Sequence, residues 1–124
     1  MEFVSVIKNI VLVAAGGAVG SVCRYGMTLA ASHLAVRAEF ATMAANILGS
    51  FLIGLWIPDS GSRMYLFYTA GVCGGFTTFS TFSSQTMRLF QNGQYALGVL
   101  YVAATVIISL IMVWFGWYCR QKFI

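Results

Sequence analysis

Charged residues are scarce in this sequence of 124 residues. Only 8% of the chain is Asp, Glu, Lys or Arg, whereas 60% is hydrophobic, and a soluble domain carries about 25% charged residues. A chain of this composition cannot cover a water-exposed surface with polar groups. The composition therefore excludes a soluble globular domain and predicts a membrane protein.

Titratable and nucleophilic side chains are equally few. There is one histidine, and the three cysteines (Cys23, Cys73 and Cys119) lack metal or redox spacing, so we expect them to behave as small hydrophobic residues. No nucleophile–base pair or metal-ligand cluster is apparent, which argues against an enzyme. The seven basic residues mostly flank apolar runs, which predicts contact with lipid headgroups rather than with nucleic acid.

Long apolar runs predict an all-α membrane protein with four membrane-spanning helices in a single domain of residues 1–124. A span needs about 20 apolar residues, and the runs cover about 4–31, 40–57, 64–89 and 95–118. Turn residues at 58–61 and 91–93 separate the last three runs. The first run continues far past the length of a signal-peptide core, so we expect it to be a span of the mature chain.

The distribution of basic residues barely orients these spans. Four spans put both termini and the second loop on one side. That side carries four basic residues, Lys8, Arg63, Arg120 and Lys122. The other side carries Arg37 and Arg88, and also Arg24 if its side chain reaches the interface. So small a bias fits either a fixed topology or insertion in both orientations, and the second would allow an antiparallel dimer.

An oligomer is expected in either case, because four helices of this length enclose too little space for a pore. Small residues spaced four apart allow helices to approach closely in membranes. Gly16 and Gly20 form one such GxxxG pair, and Gly71 and Gly75 form another. The motif is common in spans and by itself indicates only close helix packing.

Several polar side chains lie within the apolar runs. Arg24 has apolar residues on both sides in GSVCRYGM, and we expect an anchoring or functional role rather than snorkelling, because charges inside the membrane are costly. Asn46 lies near the centre of the second run, with Thr42 and Ser50 on the same helical face. Thr105 and Ser109 are four residues apart on the fourth run. A hydroxyl can bond the carbonyl four residues earlier, whereas an amide cannot do so as easily.

The densest polar cluster is GGFTTFSTFSSQT, residues 74–86, in the third run. Paired glycines followed by two β-branched threonines are poor in a helix interior, so we expect a helix break there. Such a break survives in a membrane only when it is buried in protein or lines a cavity. Its freed carbonyls suit a small cation such as Na⁺, whereas the following helix N-terminus favours anions. Phe76, Phe79 and Phe82 are predicted to form one ridge, with hydroxyls on the other faces.

The acidic residues Glu2, Glu39 and Asp59 all lie outside the predicted spans. A proton-coupled or cation-binding transporter usually requires a carboxylate in the membrane. Hydroxyls, an amide, an arginine and the electropositive edges of phenylalanine rings instead form a path that donates to an anion. The residues by themselves predict a pathway for a small anion and do not identify the ion.

The motifs GGFTTFSTFS, AAN within TMAANILGS, and GSVCR resemble the Fluc (CrcB) family of bacterial fluoride channels. The resemblance covers the whole chain in span number and motif order. It implies passive export of fluoride across the bacterial inner membrane by an antiparallel, dual-topology homodimer in the lipid bilayer. It also implies a third helix broken in mid-membrane, two pores, and one central structural Na⁺, with no organic cofactor.

Individual roles follow only from the resemblance. The edges of Phe79 and Phe82 would contact fluoride, and Asn46 would donate to it. The remaining polar positions of the pathway would be Ser80, Thr81, Thr105 and Ser109. Arg24 would stand at the pore vestibule or act as an anchor. The backbone carbonyls of Gly74 and Thr77 would bind Na⁺, two from each subunit.

Gln85 departs from the family pattern, because many members have a glutamate at this position. An amide retains hydrogen bonding but loses the charge, so no gating or ion-binding role is carried over to Gln85. Two other classes of protein fit the sequence less well. A small dual-topology multidrug or cation exporter would need a carboxylate in its first span, where this chain has Lys8 and Arg24. A non-transporting assembly subunit would leave Asn46 and the polar break without a purpose.

Overall fold

The computed structural model describes residues 2–124, which form helices joined by short turns. Three long helices are continuous: α1 (Phe3–His33), α2 (Ala38–Trp56) and one at the carboxyl end, Tyr95–Phe123. By length and apolarity, three helical stretches could cross a membrane: Phe3–His33, Ala38–Asp59 and Tyr95–Phe123. Large apolar side chains are exposed along these helices, as expected where lipid or another subunit covers them. The predicted fold class, an all-α membrane protein, is confirmed.

The third helical segment is interrupted and is therefore not among those three. It contains α3 (Arg63–Leu66), a π-helix (Phe67–Cys73), α4 (Gly74–Phe76) and α5 (Phe79–Gln91), and the carboxyl-terminal helix is α6 (Tyr95–Phe123). A π-helix inside a membrane segment often marks a functional site. The sequence carried no signal for it.

The break itself lies at Thr77 and Thr78. Both residues are extended, with ψ angles of 158° and 122°. The predicted break in GGFTT is confirmed, but the glycines do not cause it directly, since Gly74 and Gly75 are both helical. The predicted three-phenylalanine ridge is wrong for the same reason: Phe76 ends α4, whereas Phe79 begins α5 on the far side of the break.

Side-chain and backbone caps end the broken helices. The Thr78 hydroxyl accepts a hydrogen bond from the Thr81 amide at 3.2 Å and caps α5. At the other end of α5, Gly93 has a φ of 77°. Its amide donates to Phe90 and the Gln94 amide donates to Leu89, the pair of bonds that closes a Schellman motif. The predicted turn at 91–93 therefore forms, and it lets α6 run back along α5.

Two close helix pairs organise the subunit. α1 packs mainly on the π-helix, and α2 packs mainly on α6. α5 packs on α6 and, less extensively, on α2. The first pair depends on the predicted glycine motifs. A Cβ added to Gly20 would collide with the Val72 carbonyl oxygen and stand 2.7 Å from the Phe76 nitrogen, and one added to Gly71 would stand 2.8 Å from the Gly16 Cα. The glycines next to the break thus allow α1 to approach it.

We expect Gly20→Ala to destabilise the subunit by about 1–3 kcal/mol, the usual cost of overpacking a close contact. The added methyl would have to push α1 away from backbone atoms rather than from a flexible side chain. Thermal unfolding in detergent measures the effect. Gly26→Ala is the matched control on the same helix, because a Cβ at Gly26 meets nothing within 4 Å. Equal melting temperatures for the two variants would contradict the close-contact role of Gly20.

Candidate functional site

Asn46 holds the break in the third segment. Its Nδ2 donates to the Thr78 carbonyl at 3.2 Å, and its Oδ1 accepts from the Thr78 amide at 2.8 Å. An asparagine side chain can thus replace the helical partners that an extended residue loses, which matters because an unpaired backbone group in a membrane costs several kcal/mol. The structure gives this central amide a partner on another helix, which periodicity alone could not identify.

The hydrogen bonds at the break leave the carbonyls of Gly74 and Thr77, which are predicted to bind Na⁺, without their helical donors. In a continuous helix the Thr78 amide would donate to Gly74 and the Thr81 amide would donate to Thr77. Here the first donates to Asn46 and the second to the Thr78 hydroxyl. Within residues 2–124 no group of three or more His, Cys, Asp or Glu side chains could hold a metal. Backbone oxygens at the break are hard ligands of the kind that Na⁺ prefers, so the residues present fit a small cation.

Arg24, on α1, contacts the backbone just before the break. Its Nε donates to the Gly75 carbonyl at 3.1 Å, and the bond is partly buried. This carbonyl would otherwise lose a helical partner, because the extended residues Thr77 and Thr78 follow it. The guanidinium is therefore directed into the fold at the level of the break.

One cavity collects most of the predicted pathway residues. Its volume is about 270 Å³, and it lies between α2, the break, α5 and α6. The side chains around it are Asn46, Ser50, Thr77, Thr78, Phe79, Phe82, Thr105, Val106, Ser109 and Leu110. None of these residues is acidic. The polar side chains thus come from α2, the break and α6, and α5 contributes two phenylalanine rings.

The two phenylalanines form an edge-to-face pair at the cavity. The ring centroids of Phe79 and Phe82 are 5.6 Å apart at an angle of 60°. Phe82 is 6% exposed and its ring also meets that of Tyr101, whereas Phe79 is 77% exposed. The edges of such rings carry partial positive charge. Phe82 is therefore buried among its own helices, whereas Phe79 projects outward.

Two buried hydroxyls in the cavity have no hydrogen-bond partner. They are the Oγ1 of Thr105 and the Oγ of Ser109, the only buried side-chain nitrogen or oxygen atoms without a partner in residues 2–124. Other hydroxyls of the chain do find a helical carbonyl, as Ser50 does on Asn46 at 2.7 Å. Buried polar atoms are normally paired. These two are thus candidates for contact with a ligand or with water.

Three predicted polar positions do not line this cavity. Ser80 is exposed, and Thr81 contributes its amide to the α5 cap. Thr42, which shares a helical face with Asn46, is buried one turn away. The fold thus brings together Asn46, the two rings, Thr105 and Ser109, but neither Ser80 nor Thr81.

Tyr101 is a buried residue that the sequence did not single out. Its hydroxyl donates to Gln85 Oε1 at 2.7 Å, and both side chains are at least nine-tenths buried. Tyr101 stands four residues before Thr105 on the row that continues to Ser109. The four-residue spacing could have revealed it. Gln85, the departure from the family pattern, thus accepts a hydrogen bond in the core as an uncharged amide.

Comparison with known proteins identifies the family. The family model described as CrcB-like protein, Camphor Resistance (CrcB), matches residues 11–117. A protein of Elusimicrobium minutum named "Fluoride-specific ion channel FluC" is 44% identical over an alignment 116 residues long, which covers 90% of this chain and 93% of that protein. The protein of the same name from Agrobacterium fabrum is 43% identical over an alignment 115 residues long, which covers 87% of this chain and 92% of that protein.

These matches favour the channel over the exporter and over the enzyme, since the family is one of ion channels. With the three apolar helices they make the chain a multi-pass protein of the bacterial inner membrane. The resemblance seen in the sequence motifs is confirmed. The chain belongs to the Fluc (CrcB) family of bacterial fluoride channels.

Proposed function

We propose that this protein is a fluoride-selective passive channel that exports fluoride from the cytoplasm. The observation that carries the proposal is the cavity at the break, where ring edges, an amide and two unpaired hydroxyls meet without any acidic side chain. Hydrofluoric acid enters acidified cells and dissociates inside, which traps the anion. A passive pathway for fluoride would release it.

Each group around the cavity would replace part of the water shell of the anion. The Thr105 and Ser109 hydroxyls have hydrogens to donate. The Asn46 amide nitrogen carries two, and Thr78 accepts only one of them. The edges of Phe79 and Phe82 would add weaker electropositive contacts. Arg24 would contribute positive potential near the break as a vestibule or anchoring residue, and Ser80 and Thr81 would extend the polar path outside the cavity.

The functional unit is proposed to be an antiparallel, dual-topology homodimer with two pores. The exposure of Phe79, at 77%, supports this arrangement, because a ring that lines a pore in a membrane needs protein on its other side. The ion pairs support it as well. One basic residue at each end of the molecule is paired with an acidic one, Arg37 with Glu39 and Arg120 with Asp59. The difference in unpaired basic residues between the two ends therefore stays small, as a protein that inserts in both orientations requires.

A single structural Na⁺ is proposed at the centre of the dimer. The carbonyls of Gly74 and Thr77, which have lost their helical donors at the break, would supply two oxygens from each subunit. When bound, the ion would neutralise the converging carbonyl dipoles and hold the two broken helices together. Asn46 would fix the position of the ion, because its two hydrogen bonds to Thr78 keep the backbone there extended.

Efflux from liposomes tests the proposed function. Proteoliposomes loaded with both potassium fluoride and potassium chloride, with valinomycin to balance the charge, should release fluoride and retain chloride. Empty liposomes give the background leak. Release of both anions at similar rates would contradict selectivity, and retention of both would contradict the channel. Uptake of a multidrug cation driven by a proton gradient would favour the exporter instead.

Removal of Na⁺ tests the proposed cation site. For this test a protonophore replaces valinomycin, because valinomycin needs potassium to balance the charge. We expect protein that is purified and reconstituted in N-methylglucamine salts to lose fluoride efflux and to regain it when Na⁺ is restored, because four converging carbonyl oxygens repel one another without a cation. Lithium and potassium provide ions of different size for comparison. Full efflux without any alkali cation, or the absence of bound Na⁺ in elemental analysis of the dimer, would rule out the site at Gly74 and Thr77.

A further inference from the structure

We propose that this protein binds an anionic phospholipid beside the amino-terminal end of α1, with the phosphate at Arg63 and one acyl chain along α1. This site lies at the end of the subunit, away from the cavity at the break. It consists of two adjoining hollows, one polar and one apolar. The proposal does not depend on which ion the channel carries.

The polar hollow is lined by donors and carries positive charge. It has a volume of about 440 Å³ between the first turns of α1 and the loop before α3, with the polar side chains Ser5, Asn9, Ser60, Ser62 and Arg63 on its walls. Arg63 forms no ion pair in the part of the chain that the structure describes. No acidic residue lines the hollow. A guanidinium among hydroxyls and an amide is a donor set that matches the oxygens of a phosphate.

The apolar groove begins where the polar hollow ends. It has a volume of about 430 Å³, and its apolar walls are Val6, Ile10, Val13, Ala14 and Leu66. Asn9 and Leu66 line both hollows, so the two are continuous. Such a groove on a membrane protein, closed on one side by α1 and on the other by Leu66, fits a hydrocarbon chain.

The order of the two hollows along the helices matches the order of groups in a phospholipid. Ser5, Asn9 and Val13 follow one another along α1 at steps of about 6 Å. The polar residues are at the helix end, where headgroups lie, and the apolar groove lies one to two turns deeper. α3 repeats this order, with Arg63 at its start and Leu66 at its end.

The charges at this end favour an anionic lipid over a zwitterionic one. Arg63 is joined there by Lys8 and Lys122. The acids of this end are Glu2 and Asp59, and the Asp59 carboxylate is already paired with Arg120 at 2.8 Å. Three basic residues, Arg63, Lys8 and Lys122, thus remain against one acid, Glu2, so this end carries net positive charge. Each basic residue near the surface of an anionic bilayer contributes about 1 kcal/mol of attraction.

Native mass spectrometry of the detergent-purified protein tests the site, with phosphatidylglycerol and phosphatidylcholine as the two lipids. We expect phosphatidylglycerol to be retained in preference to phosphatidylcholine. Arg63→Gln should lower its apparent affinity about fivefold, the factor for one charge near the lipid surface. Arg88→Gln, at the opposite end of the subunit and also exposed, is the matched control and should leave the affinity unchanged.

A second variant tests the groove independently of charge. Ile10→Trp would fill the apolar groove, and the residue is exposed enough to accept the larger side chain. It should lower retention of phosphatidylglycerol while Val99→Trp, on the exposed face of α6, does not. Equal losses in the Arg63 and Arg88 variants would overturn the proposal, as would competition by inorganic phosphate as effective as that by the lipid. A disulfide between two copies of Ile10→Cys would also overturn it, because a second subunit would then occupy the groove.

Discussion

Asn46→Asp should abolish fluoride efflux while the protein still folds. An aspartate can accept from the Thr78 amide as Asn46 does at 2.8 Å, but it loses the Nδ2 donor that bonds the Thr78 carbonyl at 3.2 Å. It also introduces negative charge at a cavity that we propose admits an anion. Two like charges about 4 Å apart repel by about 4 kcal/mol at an effective dielectric constant of 20, which corresponds to about a thousandfold.

Initial efflux rates at neutral pH, normalised to the amount of reconstituted protein, measure this loss. Asn92→Asp introduces the same chemical change in the exposed turn after α5 and should leave the rate unchanged. Size-exclusion chromatography of both variants checks that they assemble alike. Efflux in Asn46→Asp within about tenfold of the unmodified channel would place Asn46 outside the pathway.

Phe82→Ile should reduce efflux about tenfold or more without loss of the assembled protein. Isoleucine keeps a branched apolar side chain at a position that is 6% exposed, so most of the buried apolar contact is retained. The substitution removes the ring, and with it the edge contacts to Phe79 at 5.6 Å and to Tyr101 at 5.1 Å. In the proposed mechanism the ring edge also contacts the anion, and loss of about 1.4 kcal/mol of that contact gives a tenfold effect.

Phe115→Ile is the matched control for the ring. Phe115 pairs with Phe51 at 5.8 Å, neither residue lines the cavity, and Phe115 is 42% exposed. Its substitution should leave efflux within about twofold. Full efflux in Phe82→Ile would remove the ring pair from the proposed mechanism. Equal losses in both variants would indicate a general packing defect instead.

The local features of the site followed well from the sequence. The hydroxyl-rich segment predicted a break, and the spacing of Asn46, Thr105 and Ser109 predicted which helix faces would be polar. Such features depend on properties of single helices, namely periodicity and residue preference. The sequence did not predict the π-helix or the residues that Gly20 contacts, because both depend on how closely a second helix approaches.

The amino-acid sequence by itself determined that this protein is an all-helical membrane protein with a polar break in its third segment, because bilayer insertion depends on hydrophobicity summed along the chain. Only the tertiary structure decided that the break falls at Thr77 and Thr78 and that Asn46 closes it. It alone placed the unpaired hydroxyls of Thr105 and Ser109 in the cavity with Phe82. The physical reason is that the backbone groups of Thr78, which are freed inside the membrane, find their partner on another helix, and the distance between two helices is not encoded in the periodicity of either one.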